Sequence, residues 1–317
     1  MSAPPRLRLR AETGFVLRGL LSHLPWYERR LKRRARTGGT DDARYCYSVW
    51  LRHQVRLRQL GVREAARAVA ELGPGDSIGV GLAALLSGAE RYVALDVFPY
   101  SDRERWTRIL DELSALFEAR ARIPDNREFP ELRPALRGYD YPLDLLPANT
   151  PDPQHRRLLR EELGRPDSRR VRYVCPWNSP AEVEAGSIDL IWSQAVMEHV
   201  MDLDGAYAAM FQWLRRGGCA SHVIDLRSHG VSWAWNGHWR YAPAAWSLLT
   251  ARREFTMNRR PLSHHLACVR RAGFEIVHRE VEERTDGLPR RALARPFRDL
   301  ADDDLKASGV HLVLRKV

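Results

Sequence analysis

Residues 69–97 read VAELGPGDSIGVGLAALLSGAERYVALDV. An apolar run, Val69 to Leu72, ends in Gly73-Pro74-Gly75. A segment rich in Ala and Leu follows, then a second apolar run, Tyr92 to Leu95, closed by Asp96. Strand, glycine turn, helix, and a strand ending in an acid form the opening unit of a doubly wound α/β fold. Gly73 and Gly75 lack a Cβ, so the backbone can turn sharply and let a ligand lie against it. Asp96, at the tip of the second strand, can accept hydrogen bonds from a ribose diol. Glu71 stands just before the turn, where burial is costly without a partner. A cationic ligand end would be one such partner.

The glycine spacing bears on which ligand. A dinucleotide fingerprint needs G-x-G-x-x-G, and Gly73 to Gly79 is one residue too long. Asp76 also stands where a pyrophosphate would need bare N–H groups. Glu71-Leu-Gly-Pro-Gly-Asp76 instead resembles motif I of class I S-adenosylmethionine-dependent methyltransferases. That donor has no phosphate and carries a sulfonium and an ammonium, so nearby acids suit it. A plain strand–turn–helix with glycines for geometry is the alternative at this point.

Further elements follow in order. Gly186-Ser-Ile-Asp-Leu-Ile-Trp-Ser-Gln-Ala-Val-Met-Glu-His-Val200 resembles the motif IV region of the same family. Trp213-Leu-Arg-Arg-Gly-Gly218 resembles its turn before the fifth strand. The resemblance covers about residues 65–230. It implies a Rossmann-like α/β fold with a seven-stranded sheet in the order 3-2-1-4-5-7-6. It also implies methyl transfer from S-adenosylmethionine, leaving S-adenosylhomocysteine. Carried over to this chain, Glu71, Gly73 and Gly75 flank the methionine end and Asp96 holds the ribose. Asp76 and Val97 are further expected cofactor-binding residues. Pro176 and Trp177 lie near the adenine, and Ser193 and Gln194 beside the methionine moiety and the acceptor.

The remaining strands are expected at Val171–Val174, Ile188–Trp192, Cys219–Leu226, Phe274–Val281 and Val310–Val317. Ser101 to Glu104 reads as a capping box ahead of an apolar helix face, Trp106 to Phe117. Ile123 to Asp167 is too long for a simple connection, so a helical insertion is expected at about 98–168, with a helix from His155 to Leu163. Asp204 is the expected cap of the helix before the fifth strand, and Gly217-Gly218 its stop. Residues 1–44 read as a basic helical arm, disordered over 1–10 and with a hinge at Thr37 to Asp42, 45–317 as the methyltransferase domain, and about 230–272 as its substrate side.

Transfer to a hydroxyl benefits from a base near neutrality, and histidine suits it. His199, at the end of the fourth strand, and Asp225 and His229, at the end of the fifth, are the candidates. His222 alternates to the opposite face from Asp225 and reads as a core residue. Some relatives carry Glu-x-x-Glu-His here and bind a divalent metal. This chain has Ala195 in place of the first Glu, so no metal is expected. Residues 232–241, SWAWNGHWRY, interleave aromatic and polar groups. Trp233, Asn236, His238 and Trp239 are candidate contacts for a sugar or planar acceptor, or else a hydrophobic cover. Met257 to Ser263, with the helix behind it, resembles the tail of methyltransferases from bacterial surface-glycan pathways.

Composition narrows the setting. With 317 residues, 44% apolar and 29% charged, the chain is long enough and mixed enough for a globular core. No apolar run nears the roughly 20 residues of a membrane span, and no secretory leader is expected. Cys46, Cys175, Cys219 and Cys268 form no C-x-x-C pair, so a reducing cytoplasm is the expected setting. Residues 1–36 hold +8 of the +11 net charge. The basic character therefore belongs to one segment, not to the body. That arm either packs on the domain or touches an anionic membrane surface peripherally.

O-methylation of a small molecule or glycan is the first functional expectation. A nucleic-acid (RNA) methyltransferase using the arm is an alternative. Against it, Ser193-Gln-Ala-Val stands where base N-methyltransferases carry Asp/Asn-Pro-Pro-aromatic. A non-catalytic S-adenosylmethionine-binding or scaffold protein is another alternative. Oligomeric state is not legible.

Overall fold

The computed structural model describes residues 5–24, 39–62, 66–146, 150–251, 253 and 256–317, with side chains from 12 onward. The central sheet has seven strands: β1 (Ala68–Leu72), β2 (Arg91–Leu95), β3 (Val171–Val174), β4 (Ile188–Gln194), β5 (Leu214–Asp225), β6 (Glu275–Glu283) and β7 (Ala307–Arg315). Their order is β3-β2-β1-β4-β5-β7-β6, as expected. The first five run parallel, and β7 is antiparallel to both neighbours.

β1 is buried along its whole length, as a strand covered on both faces must be. Val69 faces one core with α2 (Ala43–Gln59), α3 (Gly79–Leu86) and α4 (Arg103–Glu118). Ala68, Ala70 and Leu72 face the other, with α6 (Leu203–Trp213) and α8 (Leu262–Arg271). Gly79 allows close packing of α2 on α3. A Cβ there would lie 2.5 Å from Cys46 Sγ.

The insertion between β2 and β3 contains α4 and, later, α5 (Pro153–Leu163). α4 is capped by Asp102, which accepts from the Glu104 N–H, not by Ser101. α6 is likewise capped by Asp202, not Asp204. Asp204 instead pairs with Arg271 of α8. β5 begins at Leu214, five residues before the expected start. Gly217 enters it with φ +80°, so the glycines bend the strand rather than precede it.

The arm differs from expectation. α1 (Pro5–Leu21) already starts within residues 1–10, which read as unstructured. Proline is tolerated in a first turn, and Arg and Leu are good helix formers. The buried side of α1 carries Phe15 and Gly19, with buried Ser22 just beyond its end, while Leu17, Leu20 and, past the helix, Leu24 are exposed. Phe15 stacks on Trp246 of α7 (Pro243–Thr250), and Glu12 accepts from Ser232 and pairs with Arg240. The described part of the arm therefore packs on the 231–257 segment. Pro25, Leu31, the Arg29–Arg36 run, and Thr37 and Gly38 of the expected hinge lie outside the described residues. The expected domain boundary falls inside α2, whose N-cap is Asp42. Among the described residues no helix is long and apolar enough to cross a membrane.

Candidate functional site

The tips of β1, β2 and β3 meet at one edge. The Gly73 N–H donates to Leu95 O (2.8 Å), the Asp96 N–H to Val174 O (3.0 Å), and the Trp177 N–H to Asp96 O (2.9 Å). Gly73 and Gly75 have φ of +64° and +74°, the left-handed region that favours glycine. Asp96 Oδ1 accepts from the Val97 N–H (2.7 Å) and Phe98 N–H (3.4 Å). Burial pushes the Asp96 carboxyl above its ordinary value, against those backbone donors. Val97 is exposed on the rim, as is Pro176, and Trp177 leans edge-on against Trp213. Asp76 is buried, and the next residue, Ser77, bonds Thr40 ahead of α2, so the loop is closed from the arm side.

Two expected residues are turned elsewhere. Glu71 is buried and accepts from Tyr92 Oη at 2.5 Å, and burial pushes its carboxyl up to about 8. Its partner in the structure is thus a core tyrosine. Ser193 Oγ lies 2.8 Å from buried His222 Nδ1, so its hydroxyl faces the core, whereas Gln194 Oε1 contacts His53 Nε2 at 3.3 Å.

Beyond β4 the chain makes a short turn, Ala195 to Val200, with Met197–His199 in one 3-10 turn rather than the start of a longer helix. Ala195 holds φ +54°, an unfavoured value for a non-glycine residue. Val196 packs on the glycine loop so closely that a Cβ on Gly73 would lie 2.6 Å from Val196 Cγ2. The next residues carry polar groups. His199 stands edge-on to His229, with centroids 5.2 Å apart. His229 Nε2 lies 3.7 Å from Glu198 Oε1 and 3.7 Å from Asp225 Oδ2. The three expected catalytic residues are therefore brought together, with Glu198 as a fourth. Glu198 is 1% exposed, and neither of its carboxylate oxygens has a hydrogen-bond partner among the described residues. Burial raises its carboxyl well above the ordinary value. Burial, then His229, hold His199 down to about 4.

Asp225 is in a different state. Burial alone would raise its carboxyl, but hydrogen bonds from Arg227 Nε (2.8 Å) and Nη2 (2.7 Å) outweigh that and hold it below the ordinary value. Asn258, unassigned from sequence, clamps the turn. Its Nδ2 donates to Met197 O (2.9 Å) and Val200 O (2.8 Å), and its own N–H to Glu198 O (2.7 Å). The expectation of no metal rested on Ala195. The fold supplies a different third group, because Glu198, His199 and His229 each offer a ligand atom within 4.8 Å of the others.

A methyltransferase-domain family matches residues 148–221, which span β3, β4, α6 and the start of β5. That match falls on a sheet with the strand order of the class I enzymes. The fold is that of class I S-adenosylmethionine-dependent methyltransferases, and the family match covers 148–221 of its residues. No curated protein matches the chain. Among solved structures, an S-adenosylmethionine-dependent methyltransferase from Mesorhizobium loti is similar, with 15% identity over 82% of this chain and 96% of its own (TM-score 0.40). Geranyl diphosphate methyltransferase in complex with S-adenosylmethionine shares 14% over 84% and 85% (TM-score 0.44). Phosphoethanolamine N-methyltransferase 2 from Haemonchus contortus shares 14% over 84% and 52% (TM-score 0.41). At such scores no residue role or substrate is carried across.

The aromatic stretch, residues 232–241, is mostly core. Trp239 is fully buried, donates to Arg259 O (3.0 Å) and stacks on Phe297. Asn236 is buried and exchanges hydrogen bonds with the Leu288 backbone, accepting at 2.7 Å and donating at 3.2 Å. His238 is buried beside Trp239, and burial holds it down to about 3. Trp233 alone of the four is partly open. The cause is the segment from Leu288 to Leu305, which covers these rings.

Proposed function

We propose that this chain is a class I S-adenosylmethionine-dependent methyltransferase that transfers a methyl group to a hydroxyl of a small-molecule or glycan acceptor. One observation carries the reading. The turn that packs on Gly73 is the turn that carries Glu198 and His199 to His229 and Asp225. Proton-accepting groups thus adjoin the loop that holds the donor. The loop fits S-adenosylmethionine. Gly73 and Gly75 leave its inner side without a Cβ, and Asp96 keeps lone pairs beyond its two backbone donors for a diol. Pro176 and Trp177 would rim the adenine side, Val97 the ribose beside Asp96, and Asp76 and Gln194 the methionine side. When bound, the cofactor supplies an electrophilic methyl on a sulfonium.

The chain's own part is to orient the acceptor and take its proton, where proximity contributes most. His229 is the base this arrangement favours. It is the exposed member of the cluster, and two carboxyl groups flank it. His199, held near 4, stays neutral at pH 7 and orients His229. Asp225, fixed by Arg227, stays ionised beside them. His229→Gln should lower turnover by about 10²- to 10⁴-fold while S-adenosylmethionine affinity, measured by calorimetry, holds. Unchanged turnover would remove His229 from the mechanism. Labelled cofactor incubated with fractionated extract should yield a methyl ether. Labelled RNA or a methylamine would overturn the acceptor class.

A second reading has its own observation in the unpartnered Glu198 oxygens. A divalent ion held by Glu198, His199 and His229 would then activate the hydroxyl. Activity lost to EDTA and restored by Mg²⁺ or Mn²⁺ would favour it over the imidazole.

A further inference from the structure

Away from that cluster, the sheet carries a second convergence of ligand-type groups. Glu280 of β6 pairs directly with His311 of β7, and His278 lies two residues along β6. Directly opposed residues of an antiparallel pair stand about 4.5–5.5 Å apart at Cβ. One atom from each of His278, Glu280 and His311 lies within 4.8 Å of the other two. We propose that these three residues bind a first-row divalent transition ion, such as zinc, on the face of the β6–β7 pair that looks toward α2.

The buried atoms point the same way. His311 is 3% exposed, and its Nδ1 has no hydrogen-bond partner among the described residues. Its Nε2 is 3.0 Å from Ser221 Oγ, which is 2.7 Å from His53 Nδ1. The ring is thus anchored through one nitrogen while the other is left for a ligand, the usual arrangement of a metal-binding histidine. His278 Nε2 is also buried without a hydrogen bond, 3.5 Å from Glu280 Oε2. Leaving buried polar atoms unpaired costs free energy, and one ion would satisfy both. Zinc bonds of about 2.1 Å place tetrahedral ligands roughly 3.4 Å apart, so small side-chain rotations close the site. Two imidazoles and a carboxylate select zinc, iron(II), cobalt or nickel over magnesium or calcium.

The site has a built-in competitor. Arg56 of α2 holds Glu280 at 2.7 Å and also donates to Ala135 O at 3.0 Å. An ion must displace it from Glu280. Bound, the ion would tie the sheet-edge strand β6 to β7.

The test uses the full chain, stripped with EDTA and dialysed against Zn²⁺ or Co²⁺. One equivalent should bind. It should be lost in His278→Ala and in Glu280→Gln, and kept in His229→Gln, whose change lies in the other cluster. Visible d–d bands of the cobalt form should vanish with the same two variants. Arg56→Met should bind the ion several-fold more tightly. Retained S-adenosylmethionine binding and circular dichroism confirm that each variant is folded. No binding by the wild type, or binding that survives both His278→Ala and Glu280→Gln, overturns the site.

Discussion

Gly73→Ala probes the contact between the glycine loop and the turn that follows β4. Two separable costs are expected. A φ of +64° asks an L-residue to sit in the left-handed region, at about 1–2 kcal/mol. The new Cβ would also lie 2.6 Å from Val196 Cγ2 and 2.8 Å from Cγ1. Overpacking of that kind costs about 1–3 kcal/mol. The sum, about 2–5 kcal/mol, is a large share of a domain stability of about 5–15 kcal/mol. Val196→Ala removes both γ carbons. It should therefore recover the packing share and leave the backbone share. The assay is urea unfolding of wild type, both single variants and the double variant, with S-adenosylmethionine calorimetry on each. The expected coupling is about 1–3 kcal/mol, and the cofactor affinity lost in Gly73→Ala should return in part. A coupling near zero, or an unchanged unfolding midpoint in Gly73→Ala, would refute the packing of Val196 on the loop.

Asp96→Asn removes a charged acceptor while its backbone contacts can persist. Hydrogen bonds to charged groups contribute about 1.5–3 kcal/mol, so cofactor affinity should fall about 10- to 100-fold in calorimetry with the unfolding midpoint little changed, and unaltered affinity would remove Asp96 from the ribose site. Stability should also fall on acidification. Burial holds His53 and His199 down to about 4, and His222, His238 and His265 to about 3, from 6.5. The unfolded chain takes up protons below 6.5 that the folded chain refuses, so this stability is present above 6.5 and lost toward 4. Glu71, raised from 4.5 to about 8, acts oppositely: its contribution is present below 4.5 and lost as pH rises through 8. Glu198 and Asp96 are raised in the same sense. Five histidines outweigh three acids, so urea unfolding should give a lower free energy at pH 5 than at pH 7, and equal or greater stability at pH 5 would contradict the burial of these rings.

Much of the sheet was legible because its strands are apolar runs closed by glycine, acid or proline. β3 runs over the very residues expected, Val171–Val174. The caps were misplaced by one or two positions for a local reason. Ser101 and Asp102, or Asp202 and Asp204, are chemically equivalent cap candidates, and backbone geometry chooses between them. The start of β5 was missed because Gly217 and Gly218 can end a helix or bend a strand equally well. The aromatic stretch failed as a substrate platform for a long-range reason. Trp239 and Asn236 are partnered by Phe297 and Leu288, some fifty residues on, and no local pattern announces that cover. Asn258 was missed for the same cause, since its partners belong to the turn at Met197–Val200.

The least legible feature, the acid at Glu198, shapes the chemistry most. Asp225 lies as close to His229 as Glu198 does, but its charge is offset by Arg227 at 2.7 Å. Arg227 makes no close ion pair with Glu198 and acts on it only at a distance, so burial prevails and the carboxyl favours the neutral form. A full charge at 3.7 Å from an imidazolium would contribute about 4 kcal/mol at an effective dielectric constant of 20. Burial therefore keeps Glu198 from adding a second full charge beside Asp225. Both carboxyl groups stand 3.7 Å from the imidazole nitrogen that the proposed reaction would protonate, so Glu198→Gln, which keeps the shape but cannot ionise, should lower turnover while cofactor affinity holds.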